Sequence, residues 1–226
     1  MNNTRPSIRA LLLSLLVLNT SCLFAGAMGD SDSFAIHNRF YFGGNLGAGD
    51  FINKEMHTVQ PETHQLGSVN FIGGAFIGYD YEFMPRLHGA VEVFGDATGF
   101  NLAISHPPYI YTMKQRYDIG VRVLPAYFFN PDFSTHVILG YVNGGFKIND
   151  DGTYGFINQK YNQSGFQTGL GFTNNLGANF SYRVDGIYNI FGCQNSIGTT
   201  SSGQYQTYSN TFSSFIAELS LIYQFT

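Results

Sequence analysis

Residues 215–226 read Phe-Ile-Ala-Glu-Leu-Ser-Leu-Ile-Tyr-Gln-Phe-Thr, and this stretch carries the clearest fold signal in the chain. Its odd-numbered positions from Phe215 to Phe225 are all apolar, whereas the even-numbered positions include Glu218, Ser220 and Gln224. A period of two residues indicates a strand with one apolar and one polar face. The segment also has the length of a strand that crosses a bilayer in a β-barrel, about 9–11 residues.

The same alternation recurs in seven further segments of the chain, and one face of each carries no charge. A charge facing lipid at the bilayer midplane would cost about 2–4 kcal/mol. The pattern therefore predicts an all-β protein, a transmembrane antiparallel up-and-down β-barrel of about eight strands in one domain, residues 39–226. Alternate residues are expected to face outward within Phe40–Ala48, Val69–Tyr81, Leu87–Gly95, Tyr117–Pro125, Val137–Tyr141, Phe166–Phe172 and Ala178–Ile190.

The fifth segment, residues 133–146, is apolar on both faces. We expect Val137, Leu139 and Tyr141 to face outward and His136 to face inward. The connections between segments alternate in length, with tight-turn residues at 83–86, 130–132 and 174–177 and longer loops at 51–67, 97–112, 148–161 and 191–211. Short turns on one rim and long loops on the other are typical of outer-membrane barrels, with the short turns in the periplasm.

Residues 1–27 have the parts of a cleaved secretory signal peptide. These parts are the basic Arg5 and Arg9, an apolar run at 10–18 and small residues at 25–27. Residues 28–38 would then form a short segment before the barrel, and the protein would be located in the outer membrane. The alternative is a lipoprotein acylated at Cys22, but Asn19 stands where a lipobox has Leu.

Composition favours a membrane barrel over a soluble domain. Charged residues make up 12% of the chain, against about 25% in soluble domains, and there are 27 Gly, 22 Phe and 15 Tyr. Removal of residues 1–27, which hold two Arg and no acid, moves the net charge from −4 to −6. An acidic protein is a poor nucleic-acid partner. Cys193 would be the only remaining thiol, which excludes an internal disulfide. We expect a monomer without a cofactor.

Most strand charges fall on the inward faces of the predicted strands. An eight-stranded barrel has an interior that side chains fill, so buried charges there must be paired. Glu92, Arg122 and Arg183 lie near the middle of their strands, which predicts an interior charge network. We expect Asp185, Asp118 and Glu218 to belong to the same network.

Several of these positions resemble the membrane domain of the outer-membrane protein A family, over residues 39–226. They are Gly74–Tyr79 as a second strand, an inward Glu92 on the third, a basic Arg122 on the fourth, and Arg183-x-Asp185 on the seventh. The chain departs from the family at Gly171, where the family has an acid, and we expect no peptidoglycan-binding domain after the barrel. The chain also resembles small opacity-type barrels, whose members serve in adhesion or host contact.

The end of the chain resembles the closing strand of bacterial outer-membrane proteins. In that family the barrel-assembly machinery reads the terminal strand as a signal, which points here to Tyr223 and Phe225. The usual terminal Phe is followed here by Thr226.

The main functional hypothesis is a scaffold whose loops contact a host or surface ligand, with outer-membrane lipid and lipopolysaccharide around the barrel. Tyr109 and Tyr111, beside Pro107-Pro108, are the candidate loop-binding residues. A narrow channel gated by the charge network is the alternative, and a lipid A-modifying enzyme using His136 or His88 is a weaker one. Two Glu-x-His pairs, at 55–57 and 62–64, are interpreted as solvated polar clusters, so we expect no metal site.

Overall fold

The computed structural model describes residues 38–57, 63–106, 109–152, 155–177, 179–199 and 205–225. Within these ranges the chain forms nine strands. They are β1 (Arg39–His57), β2 (Thr63–Met84), β3 (Leu87–Thr98), β4 (Asn101–His106), β5 (Tyr109–Asn130), β6 (Phe133–Gly152), β7 (Gly155–Asn175), β8 (Phe180–Thr199) and β9 (Tyr205–Gln224). The predicted signal peptide and residues 28–37 lie outside the described part of the chain.

The nine strands close into an antiparallel barrel with eight strand positions around its wall. Consecutive strands pair with each other, except β3 and β4, and β1 pairs with β9, where Leu46 stands opposite Leu219. The shorter strands β3 and β4 both pair with β5, but with different parts of it. Together they occupy the position of a single strand in the barrel wall, interrupted at residues 99–100. The predicted fold class, a transmembrane up-and-down barrel, is confirmed.

An apolar belt surrounds the barrel, as the alternation predicts. The described residues among those expected to face outward are exposed or half-buried, and the residues between them point inward, whereas Ala178 lies outside the described part of the chain. On the doubtful fifth segment, Val137, Leu139 and Tyr141 are exposed while His136 is buried, as expected. On the side away from the tight turns, the last outward-facing residues of the belt are Ala48, Val69, Tyr117, Tyr141, Phe166, Ile190 and Phe215.

The two rims of the barrel differ, but not in the way the sequence suggested. Two of the three expected tight turns are confirmed, since β2 and β3 are separated by residues 85–86 and β5 and β6 by residues 131–132, whereas the connection expected at 174–177 continues into residue 178, outside the described part of the chain. The expectation of four long loops is wrong, because most of their residues continue the strand ladder. The outermost described pairs are Met56–Thr63, His106–Tyr109, Gly152–Gly155 and Thr199–Tyr205.

The physical reason for these long hairpins lies inside the barrel. Phe51, Phe146 and Phe212 belong to segments that were expected to be loop or strand end, yet all three point inward and are fully buried. Their burial gives the polar outer strands a hydrophobic core, and burial of one such side chain contributes about 1.5–3 kcal/mol. The described part of the chain contains no helix whose length and hydropathy would let it cross a membrane.

Candidate functional site

The middle of the barrel holds an ion cluster centred on Glu92, which is fully buried. Its carboxylate accepts hydrogen bonds from Arg122 Nε at 2.6 Å and from Arg183 Nη1 at 2.5 Å. The Tyr41 hydroxyl donates a third bond to it at 2.7 Å. Both guanidinium groups are buried as well, so one carboxylate serves two cations that lie on separate strands, β5 and β8. We call Glu92, Arg122, Arg183 and Asp185 the central ion cluster.

Asp185 is the second anion of the central ion cluster. Arg183 Nε lies 2.9 Å from Asp185 Oδ2, and His136 Nε2 lies 2.8 Å from Asp185 Oδ1. Gly171, which stands between His136 and Asp185 in the strand register, makes this approach possible. A Cβ atom on Gly171 would overlap Asp185 Oδ1 and come within 2.6 Å of His136 Nε2. The glycine that departs from the family resemblance therefore creates room for a His–Asp pair.

Strand geometry explains how these side chains meet. Glu92 and Arg122 are direct cross-strand partners on β3 and β5, and Arg183 and Asp185 are two residues apart on the inward face of β8. The guanidinium carbon of Arg183 lies 4.4 Å from the ring centroid of Phe76, and that of Arg122 lies 5.0 Å from the Phe94 centroid. Such cation–π contacts stabilise a desolvated charge by roughly 0.5–2 kcal/mol.

Asp118 and Glu218, which were expected in the same network, bind amides instead. Gln115 Nε2 donates to Asp118 at 2.6 Å. Asn45 Nδ2 donates to Glu218 at 3.1 Å and also to Asp96 at 2.9 Å. In the part of the chain that the structure describes, neither Asp118 nor Glu218 forms an ion pair. These three acids form a layer of their own on the hairpin side of the central ion cluster.

An aromatic plug fills the barrel beyond this acidic layer. The rings of Phe146 and Phe212 stack with centroids 5.1 Å apart, and Phe51 stacks on Phe212 at 5.9 Å. Phe100 and Phe191 complete the group, at 5.8 Å from Phe51 and 5.2 Å from Phe146 respectively. All five side chains are buried, so the plug closes the interior at this level. Phe212, between Thr211 and Ser213, shows the alternation that could have revealed part of the plug, whereas Phe191, between Ile190 and Gly192, does not.

The turn end of the barrel contains a small cavity of about 60 Å³ lined by Ser134, His136, Thr173 and Arg183 among others. A hydrolase site was considered at this end because a serine, a histidine and an aspartate come near one another. Among the described residues, however, no hydrogen bond joins Ser134 to His136, and His136 is bonded to Asp185. The volume suits a few water molecules rather than an acyl chain.

The closing strand contributes an aromatic group to the outer surface at the turn end. Tyr223 lies 5.6 Å from Phe42 and 5.2 Å from Phe180, measured between ring centroids, and Phe225 lies 5.7 Å from Phe42. These contacts tie the last strand to both of its neighbours, β1 and β8. An assembly signal at Tyr223 and Phe225 stays a prediction.

The other candidate residues lie toward the hairpin tips. Tyr109 and Tyr111 belong to the backbone of β5, paired with His106 and Ile104, but their side chains lie outside the described part of the structure. The described residues contain no group of three or more His, Cys, Asp or Glu that could hold a metal ion.

Comparison with known proteins identifies the fold but no family. No family model matches the sequence, and no curated protein matches it significantly. Among solved structures, the outer membrane protein OprG from Pseudomonas aeruginosa matches with a TM-score of 0.54 and 9% identity, covering 84% of this chain and 97% of that chain. Neisserial surface protein A matches with a TM-score of 0.44 and 13% identity, covering 82% and 97%. Ail from Yersinia pestis matches with a TM-score of 0.42 and 15% identity, covering 81% and 98%.

At such low identities these similarities show the fold alone, and the match to OprG carries that conclusion. The chain has the fold of a small outer-membrane β-barrel. Membership of the outer-membrane protein A family stays a prediction.

Proposed function

We propose that this protein resides in the outer membrane and uses its four long hairpins to bind a partner outside the cell, with no catalytic or conducting role. One observation carries the proposal: the strands continue in register far beyond the apolar belt. On β6, eleven residues follow the last belt residue, Tyr141, before the strand ends at Gly152, and all of them pair with β7. At about 3.3 Å per residue, this extension is roughly 36 Å long.

Such hairpins form a rigid binding surface rather than a set of loose loops. Their outward face includes exposed polar residues, among them Asn101, Asn162 and Thr211. Their inward face packs on the aromatic plug, which fixes their direction. A surface that is already ordered loses little conformational entropy when a partner binds.

Location in the outer membrane is supported by the outer surface. The apolar belt carries no described charge between its two aromatic edges, and the tight turns lie at the opposite rim from the hairpins. In outer-membrane barrels the short turns face the periplasm. In the proposed orientation the four hairpins lie outside the cell.

The interior favours a scaffold over a channel. A path through the barrel would have to cross the aromatic plug, the acidic layer and the central ion cluster. The five plug side chains are at most 2% exposed. No described feature provides a comparable argument for the gated-channel alternative.

Hairpin truncation tests the proposal. Because Ile148 stands opposite Gln159, residues 149–158 can be replaced by Asn-Gly without changing the register below them. Equivalent truncations are made in the other three hairpins. Bacteria displaying each variant are assayed for adhesion to epithelial cells and to wells coated with extracellular-matrix protein. We expect at least one truncation to lower adhesion while the heat-modifiable folded band on a gel persists.

The matched control replaces Pro131-Asp132, the tight turn at the opposite rim, with Asn-Gly. It changes a connection of the barrel without touching a hairpin, and adhesion should not change. If all four truncated proteins are folded and displayed but adhere as well as the wild type, the hairpins are not the binding surface.

A further inference from the structure

Three lysines stand in one row across three neighbouring strands. Lys114 of β5 pairs directly with Lys147 of β6, and Lys147 pairs directly with Lys160 of β7. The adjacent Met113 and Phe146 are buried inside the barrel, so the lysine side chains face outward. Lys114 and Lys160 are exposed, and Lys147 is half-buried. We call these three residues the lysine row.

The lysine row is unfavourable for the isolated protein. Side chains directly opposite each other on paired strands have Cβ atoms about 4.5–5.5 Å apart, and like charges at that spacing are destabilising. A bulge in β5 exposes Arg116 beside the row and adds a fourth cation. Among the outward-facing side chains of β5, β6 and β7 that the structure describes, none is a carboxylate. An anion from outside the protein would offset these charges.

The height of the lysine row indicates which anion this is. Below the row, the Tyr117 hydroxyl donates to Asn162 at 3.1 Å, and the Tyr141 hydroxyl lies 2.5 Å from Ser164 Oγ. Tyrosines with one polar end mark the membrane–water interface, and only apolar or small residues follow below them. Lys147 is six residues beyond Tyr141, or about 20 Å along a tilted strand. Lysine stems can bend toward the membrane and keep their ammonium groups in the headgroup layer.

We propose that the lysine row, together with Arg116, binds the phosphate groups of a phosphorylated lipid in the outer leaflet. Lysine binds phosphate as a point charge, and charge-assisted hydrogen bonds of this kind are about twice as strong as neutral ones. A phosphate between two lysines would replace their repulsion with attraction and hold β5, β6 and β7 together above the belt. The proposal rests on the orientation given under the proposed function, but not on adhesion.

The test compares two lipids and two variants. The first variant combines Lys114→Gln, Lys147→Gln and Lys160→Gln. The matched control is Lys54→Gln, because Lys54 is an exposed, outward-facing lysine of β1 whose direct partners, Gln65 and Thr211, are neutral. Folded protein in an uncharged detergent is titrated with bis-phosphorylated lipid A or with dephosphorylated lipid A, and binding is read by native mass spectrometry.

We expect the triple variant to bind the phosphorylated lipid at least about tenfold more weakly than the wild type, because several charge-assisted contacts are lost. The Lys54→Gln protein should bind as the wild type does, and the dephosphorylated lipid should bind weakly to all three. Equal binding of the phosphorylated lipid by the triple variant and the wild type would overturn the proposal.

Heat stability provides a second readout, because the difference in stability between the wild type and the triple variant should reverse when lipid A is added. In uncharged detergent without lipid A, the triple variant should be at least as heat-stable as the wild type, since the repulsion is gone. With phosphorylated lipid A present, the wild type should become the more stable of the two. A triple variant that is already less stable without lipid would show a structural role and overturn the proposal.

Two further results distinguish lipid binding from binding of a soluble anion and from the adhesion proposal. If inorganic phosphate or a sulfated sugar displaces the lipid completely at equal concentration, the site serves a soluble anion and the lipid assignment is wrong. The hairpin truncated at 149–158 keeps both Lys147 and Lys160, so a loss of adhesion there with lipid binding intact, or the reverse, tells the two proposals apart.

Discussion

Replacement of Glu92 by Gln should strongly destabilise the barrel. The change keeps the size of the side chain but removes the carboxylate that accepts bonds from Arg122, Arg183 and Tyr41. Arg183 then keeps Asp185 as its anionic partner, whereas Arg122 loses Glu92, its partner in the described ion pairs. Breaking a buried ion pair on one side costs about 3–5 kcal/mol, because it leaves a charge without compensation. We expect the free energy of unfolding to fall by this amount.

The measurement is urea unfolding of the protein in lipid vesicles, followed by the shift between folded and unfolded bands on a gel. With a slope of about 2 kcal/mol per M, the unfolding midpoint should drop by about 2 M. Glu82→Gln is the matched control, since Glu82 is buried on β2 but its carboxylate oxygens have no hydrogen-bond partner. This control should leave the midpoint unchanged or raise it.

A second substitution shows whether charge is the cause. Arg122→Met in the Glu92→Gln background removes the stranded cation and should recover a large part of the lost stability, because apolar replacement of a buried pair is often neutral or stabilising. A Glu92→Gln protein as stable as the wild type would refute the reasoning. So would a double variant that recovers nothing.

Three other predictions follow from the interior and from the topology. Gly171→Ala should lower the free energy of unfolding by about 1.5–3 kcal/mol in the same urea assay, because it separates the buried His–Asp pair, whereas Gly95→Ala, with nothing within 4 Å of its added Cβ, should not. In planar bilayers the wild type and Arg122→Ala should both be silent, since the plug around Phe146 remains closed; a current that changes with Arg122→Ala would favour the gated channel. The exposed Cys193 should react with a membrane-impermeant maleimide on intact cells, and labelling only after lysis would mean that its hairpin is covered or faces inward.

The sequence predicted the barrel well because lipid enforces a strict rule on its outer face. A residue on that face must be apolar or small over the whole thickness of the membrane, so the alternation was readable on the strands other than β6, whose two faces are both apolar. Outside the membrane this constraint does not apply. The part of β8 from Gly192 to Thr199 shows no such alternation, and its polar composition is like that of a loop.

The central ion cluster could be predicted only in part. Glu92 and Arg122 stand out as mid-strand charges, but the stagger of the strands decides which inward residues share a level. Tyr41 reaches Glu92 across the intervening strand β2 because Gly78 leaves the space open, and a Cβ on Gly78 would lie 2.5 Å from the Tyr41 hydroxyl. Such contacts depend on the register, which alternation alone does not specify. For the same reason, the amides that hold Asp118 and Glu218 were not foreseen.

The distribution of polar groups suggests how the two halves of the molecule work together. In the middle of the barrel, Glu92 and Asp185 neutralise Arg122 and Arg183, and aromatic rings cover both guanidinium groups. These contacts hold β3, β5 and β8 together inside the barrel. Above the membrane, the lysine row presents charges that the protein does not neutralise. Groups that are satisfied internally hold a structure together, whereas groups that repel one another in the free protein are available for a ligand. The outer half is therefore where binding should be sought.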